Sequence, residues 1–94
     1  MQKIFDDGIL EATLYPDKGW VFCRWLQNKR GKLQKKLIRD ILVVEKLIRH
    51  KGWLGWFTLS ECDHKEFQRL LQKFGCEAAQ IEDGYQYFIK RMVV

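Results

Sequence analysis

The chain has 94 residues, with 17 Lys and Arg against 12 Asp and Glu for a net charge of +5. That is enough for one domain with a real core and favours acidic partners without naming one. Hydrophobic residues at 47% and aromatics at 14% exclude a disordered chain. Cys23, Cys62 and Cys76 sit in separate segments and form no C-x-x-C pair, which argues against a disulfide framework or a four-thiolate zinc site and for a reduced, intracellular protein. The opening stretch lacks a signal-peptide pattern and no apolar run approaches membrane-spanning length, so a soluble, non-secreted product is expected, with no membrane partner.

Residues 9 to 15, ILEATLY, and 20 to 27, WVFCRWLQ, are rich in strand formers, and the PDKG between them is a turn, so the spacing predicts a hairpin. From residue 33 the period changes. Leu33, Leu37, Ile41, Val44 and Ile48 recur at helical spacing, predicting a helix over 33–50 that stops at Gly52. WLGWFTL, 53 to 59, reads as a strand buried on both faces and central in a sheet. Asp63 stands as the cap of a second helix, with Glu66 in the capping-box position. That helix runs to about Phe74 and stops at Gly75. CEAAQI and YQYFIKRMV then flank EDG, a tight-turn sequence. The expected fold is α+β, one domain over 1–94, with a mixed sheet in the order strand-strand-helix-strand-helix-strand-strand.

The string DHKEFQRLLQKFGCEAAQIEDGYQYFIKRM, following a charged loop that feeds a helix, resembles the closing half of the GNAT superfamily of N-acetyltransferases. His64 stands near the family's helix-start Asn, Leu70 at its Leu, Lys73-Phe74-Gly75-Cys76 at its Lys-Leu-Gly-Phe, and Tyr85 to Met92 at its last strand. The likeness spans residues 9 to 92 and is most similar in flavour to bacteriophage members, including acetyltransferase-like internal virion proteins. It implies acetyl-coenzyme A as cofactor, an amine acceptor, and a location in the host cytoplasm or the virion. Residues 20–27 and 53–59 would flank the cofactor, with backbone N–H groups near Trp25, Leu26 and Gln27 on the thioester carbonyl. The loop of Lys29, Arg30, Gly31, Lys32, Leu33 and Gln34 would hold the diphosphate at a helix N-terminus.

Three departures from the family pattern bear on activity. With Leu33 set on the loop's apolar position, Lys32 and Gln34 take the places of its two small residues and Gly31 is one residue out of register. Leu71 replaces the Tyr that protonates the leaving thiolate, and loss of such an acid typically costs on the order of a hundredfold to ten-thousandfold in rate. There is no room before residue 9 for the family's opening strand and helix pair, so the acceptor site would be open or completed by another chain, which makes an oligomer one way to finish it.

The individual residues admit more than one reading. The basic run of Lys29, Arg30, Lys32, Lys35 and Lys36 fits a solvated helix face, a seat for coenzyme A phosphates, or a contact for nucleic acid or another acidic partner. Glu11 is the strand carboxylate available as a base toward an amine, or a solvent-facing position. Trp25, beside the basic loop, is the tryptophan offered for a binding role. Cys62 and His64 fit helix capping better than a metal site, for which no ligand set is expected. Two functions stay open: an acetyl-coenzyme A-dependent N-acetyltransferase with a degenerate site, or a catalytically degenerate module that engages a host protein, a virion protein or nucleic acid.

Overall fold

The computed structural model describes residues 1–26 and 35–93. The elements are β1 Gln2–Asp6, β2 Leu10–Tyr15, β3 Trp20–Trp25, α1 Lys35–Lys51, β4 Gly55–Glu61, α2 Lys65–Lys73, β5 Glu77–Glu82 and β6 Tyr85–Arg91. The strands form one six-stranded sheet in the order β1-β2-β3-β4-β6-β5. β3 and β4 run parallel, and every other neighbouring pair is antiparallel. The expected order is present from β2 onward, and the fold is a mixed α+β sheet with helices packed on it.

β1 was not expected. Only Ile4 and Phe5 in it are half-buried, and they are adjacent because the register shifts between Lys3 and Phe5. An edge strand of that kind shows no period-two pattern. β5, at the other edge, is exposed along its whole length and has a register shift between Ala78 and Ile81. β5 joins β6 through Asp83 and Gly84, both at positive φ, the geometry that the EDG sequence predicts.

One face of the sheet carries the core. Leu10, Ala12 and Leu14 of β2, Val21, Cys23 and Trp25 of β3, Trp56 of β4 and Phe88 of β6 are buried in a single cluster with Leu37, Ile41, Val44 and Ile48 of α1 and Phe67, Leu70 and Leu71 of α2. Both helices therefore cover the same face. The opposite face shows Tyr15, Phe22, Phe57, Leu59 and Ile89, all half-buried. β4 is central, as expected, and Trp56 is 1% exposed. Its burial nevertheless alternates, which corrects the expectation of two buried faces: no helix covers Phe57, Leu59 and Glu61, because both helices lie on the other side.

Two polar contacts fix the helices. Glu45 of α1 is buried, and its carboxylate accepts hydrogen bonds from the Trp56 indole at 2.8 Å and the Lys90 ammonium at 2.7 Å. A charge buried there needs such partners, and these tie α1 to β4 and β6. The cap expected at Asp63 falls one residue later: His64 Nδ1 accepts from the Phe67 N–H at 3.2 Å. His64 and Asp63 both carry an acceptor near the helix start, and sequence alone does not choose between them. Gly75, at φ 90°, ends the α2 region as predicted.

Candidate functional site

The parallel junction between β3 and β4 is short. Trp20, Val21 and Phe22 pair with Gly55, Trp56 and Phe57, and there the ladder ends. Cys23 to Trp25 continue to pair with β2, while Thr58 to Glu61 continue to pair with β6. The two halves of the sheet thus part company beyond Phe22 and Phe57. At the fork, the Thr58 hydroxyl donates to the Cys23 carbonyl at 2.6 Å.

A cleft of about 340 Å³ occupies the parting, lined by Phe22, Cys23, Arg24, Trp25, Thr58, Leu59, Phe67 and Tyr85. Consecutive residues of β3 line it, and successive strand side chains point to opposite faces. The cleft therefore passes between the strands from one face of the sheet to the other. Its helix-side wall is Cys23, Trp25, Thr58 and Phe67, and its open-side rim is Phe22, Arg24, Leu59 and Tyr85. Burial pushes the Cys23 thiol far up, so it is a neutral wall group rather than a nucleophile.

Trp25, the tryptophan offered for a binding role, lines the cleft. Its ring lies 4.9 Å from that of Phe67 and 5.8 Å from that of His64. Leu26 follows it directly, but its N–H donates to the Ile9 carbonyl at 2.8 Å and is not available to a thioester. Amide directions alternate along a strand, so the Trp25 N–H is the one turned to the β4 side, where the ladder has ended. Gln27, Lys29, Arg30, Gly31, Lys32, Leu33 and Gln34 lie outside the described residues. Glu11 is on the open face, in register with Arg24, and its carboxylate pairs with Lys3 at 3.3 Å; it stands beside the cleft rim and is not part of the lining.

Several lining residues were not singled out from sequence: Cys23, Arg24, Thr58, Phe67 and Tyr85. The one signal was polarity, since Thr58 and Ser60 interrupt an otherwise apolar strand, and both prove buried on the helix side. Leu71 is 0% exposed and belongs to the core. Tyr85 is the phenol on the cleft rim.

A second polar cluster lies next to the end of β3. Asp7, in the turn before β2, accepts from the N–H groups of Ile9 and Leu10 at 3.0 and 3.1 Å and pairs with Lys36 of α1 at 3.3 Å. Asp40 of α1 faces it. Burial and the neighbouring Asp7 push the Asp40 carboxyl up to about 6. Burial works against the Asp7 carboxylate too, but hydrogen bonds from Asp40, Leu10, Ile9 and Lys36 hold it well below the usual range. A proton shared between the two carboxyls accounts for both shifts and for an Asp40 Oδ2 with no other partner among the described residues.

No protein-family model matches the chain, and no curated protein matches it by sequence. Among solved structures, it resembles a protein from Agrobacterium tumefaciens described as a candidate acetyltransferase, with a TM-score of 0.55 and 14% identity over 96% of this chain and 72% of that one. The chain has a GNAT-like fold. At that identity the likeness is one of fold.

Proposed function

We propose that this chain binds acetyl-coenzyme A in the cleft between β3 and β4 and transfers the acetyl group to an amine acceptor. The observation that carries the reading is the parting of two parallel central strands, with a through-sheet cleft in the fork and a basic run on the chain between β3 and α1. The lining fits the group: Phe22, Trp25, Leu59 and Phe67 make much of the cleft wall apolar, and the Trp25 amide is turned toward it. Acetyl-coenzyme A, when bound, supplies an acyl carbon activated as a thioester. Trp25 offers its N–H to the thioester carbonyl, while Lys29, Arg30 and Lys32, with Gly31, Leu33 and Gln34, hold the diphosphate by charge and by backbone amides. Glu11 is the carboxylate assigned to take the amine's proton, and Tyr85 the rim phenol assigned to return one to the leaving thiolate.

Calorimetric titration with acetyl-coenzyme A tests this directly. The wild-type chain should bind, and Lys32→Glu with Lys35→Glu should abolish binding while leaving the unliganded melting point nearly unchanged: Lys35 is exposed, and exposed charges contribute little to folding. No heat and no thermal shift with the wild-type chain overturns the reading.

A second reading rests on Leu71. Sealed in the core at the place of the family's proton donor, it favours a catalytically degenerate module that uses its basic run to engage a host protein, a virion protein or nucleic acid. The phage-like flavour of the sequence belongs to this reading, with the host cytoplasm or the virion as location. Duplex DNA binding would show a log–log salt slope of roughly −0.9 per phosphate neutralised.

A further inference from the structure

Two buried N–H donors stand close behind the helix-side wall of the cleft: Trp25 lines it, and His64 packs against Trp25 and Phe67 without lining it. The Trp25 indole Nε1 and the His64 imidazole Nε2 have no hydrogen-bond partner among the described residues, although Trp25 is only 8% exposed and His64 only 7%. Trp Nε1 is a donor and nothing else. His64 spends its Nδ1 lone pair on the Phe67 N–H, so the neutral ring carries its proton on Nε2 and that atom is a donor as well. The two rings are 5.8 Å apart, and Phe67 closes the third side at 4.9 Å from Trp25 and 5.9 Å from His64. A folded protein seldom leaves one buried donor without an acceptor. Here there are two in one ring cluster, and two of its three rings line the cleft.

We infer that Trp25 Nε1 and His64 Nε2 form a two-donor seat for an uncharged carbonyl oxygen of the ligand that enters the cleft. The site offers hydrogen and lacks acceptors, so it selects an oxygen. Two neutral donors bring no full charge to balance a buried carboxylate or phosphate, which leaves a neutral acyl or amide carbonyl. Aromatic faces and the neutral Cys23 thiol provide an apolar surround. The assignment of that carbonyl to acetyl-coenzyme A rests on the function proposed above; the seat itself does not.

The test follows the four tryptophan indole N–H signals of the isotope-labelled chain by NMR, with Trp25→Phe identifying the Trp25 signal. The probes are acetyl-coenzyme A, coenzyme A, and the short acetyl thioester of N-acetylcysteamine, which has the carbonyls and no diphosphate. The Trp25 indole proton should move downfield with acetyl-coenzyme A while the other three stay. Trp25→Phe and His64→Asp should each weaken binding about tenfold, the share a single neutral hydrogen bond commonly carries; Asp still accepts from the Phe67 N–H and keeps the cap. An equal shift with coenzyme A identifies an amide of its arm as the seated group, and a shift with only the acetylated forms identifies the acyl carbonyl. If acetyl-coenzyme A binds with the Trp25 signal unmoved, the seat is overturned and the coenzyme reading stands. If only the short thioester moves it, the seat stands and the coenzyme reading falls. If no probe binds at all, both fall.

Discussion

The two ends of the β3 and β4 junction are built in opposite ways. At the closed end Gly55 sits so tightly between β3 and β6 that a Cβ there would run into the Lys90 carbonyl oxygen and the Trp20 ring, and the buried Glu45 ties Trp56 and Lys90 together from above. At the open end the backbone ladder is gone, the Thr58 hydroxyl bridges the fork, and two donors are left without acceptors among the described residues. The contacts that hold the sheet together are concentrated at one end of the junction, and the proposed binding site lies at the other. A cleft between neighbouring strands can be kept open only where the rest of the sheet makes up the lost pairing.

Four substitutions test that division. The largest loss is expected from Glu45→Ala, which strands Lys90 and the Trp56 indole and should cost about 3–5 kcal/mol in urea unfolding. Gly55→Ala should follow at about 3 kcal/mol, the upper end of overpacking costs, because the obstacle is backbone. A loss under about 1 kcal/mol from either change would show that the closed end does not anchor the sheet. Thr58→Val, which removes the bridge at the fork, should cost about 1–2 kcal/mol, near the value of one buried hydrogen bond, and should change ligand affinity more than it changes stability. Tyr85→Phe belongs wholly to the open end. It should leave stability within about 0.5 kcal/mol, as for other surface changes, while lowering any acetyl transfer by on the order of a hundredfold or more.

The open end should also respond to pH, through the carboxyl pair that fastens α1 to the turn before β2. Asp40 is raised, so its contribution is full below the ordinary carboxylate range near 3.8 and is lost as pH climbs through about 6. Asp7 is depressed and acts in the opposite sense: its contribution is present above that range and is lost only in strong acid. Together they place the pair's best pH close to the ordinary carboxylate value, about 4. Asp40→Asn, a permanent donor to Asp7, should melt higher than wild type at pH 7, with the gap narrowing toward pH 4.5. A gap that does not change with pH would show that the two carboxyls share no proton.

From β2 onward the elements were legible because each has a local signature: the PDKG and EDG turns, the helical period from Leu37 to Ile48, and the apolar run through Trp56. β1 left no such mark, since its partner and not its pattern makes it a strand. The site was less legible than the fold. Trp25 was readable as an aromatic beside a basic loop, but the cleft depends on where a parallel ladder stops, and no local sequence encodes register between segments some 30 residues apart. Thr58 was the available hint, a hydroxyl in a buried strand that had to find a partner. The unmatched donors of Trp25 and His64 were invisible for the same reason, as satisfaction is a property of neighbours in space.

The outer strands decide how the molecule meets its own kind. β1 and β5 each break register once, and β5 carries Glu77, Gln80 and Glu82 along an exposed ribbon. An irregular, charged margin is a poor template for a strand from another copy. The sheet is thereby terminated on both sides, and the protein can keep a half-covered aromatic face without growing into a fibre from its edges.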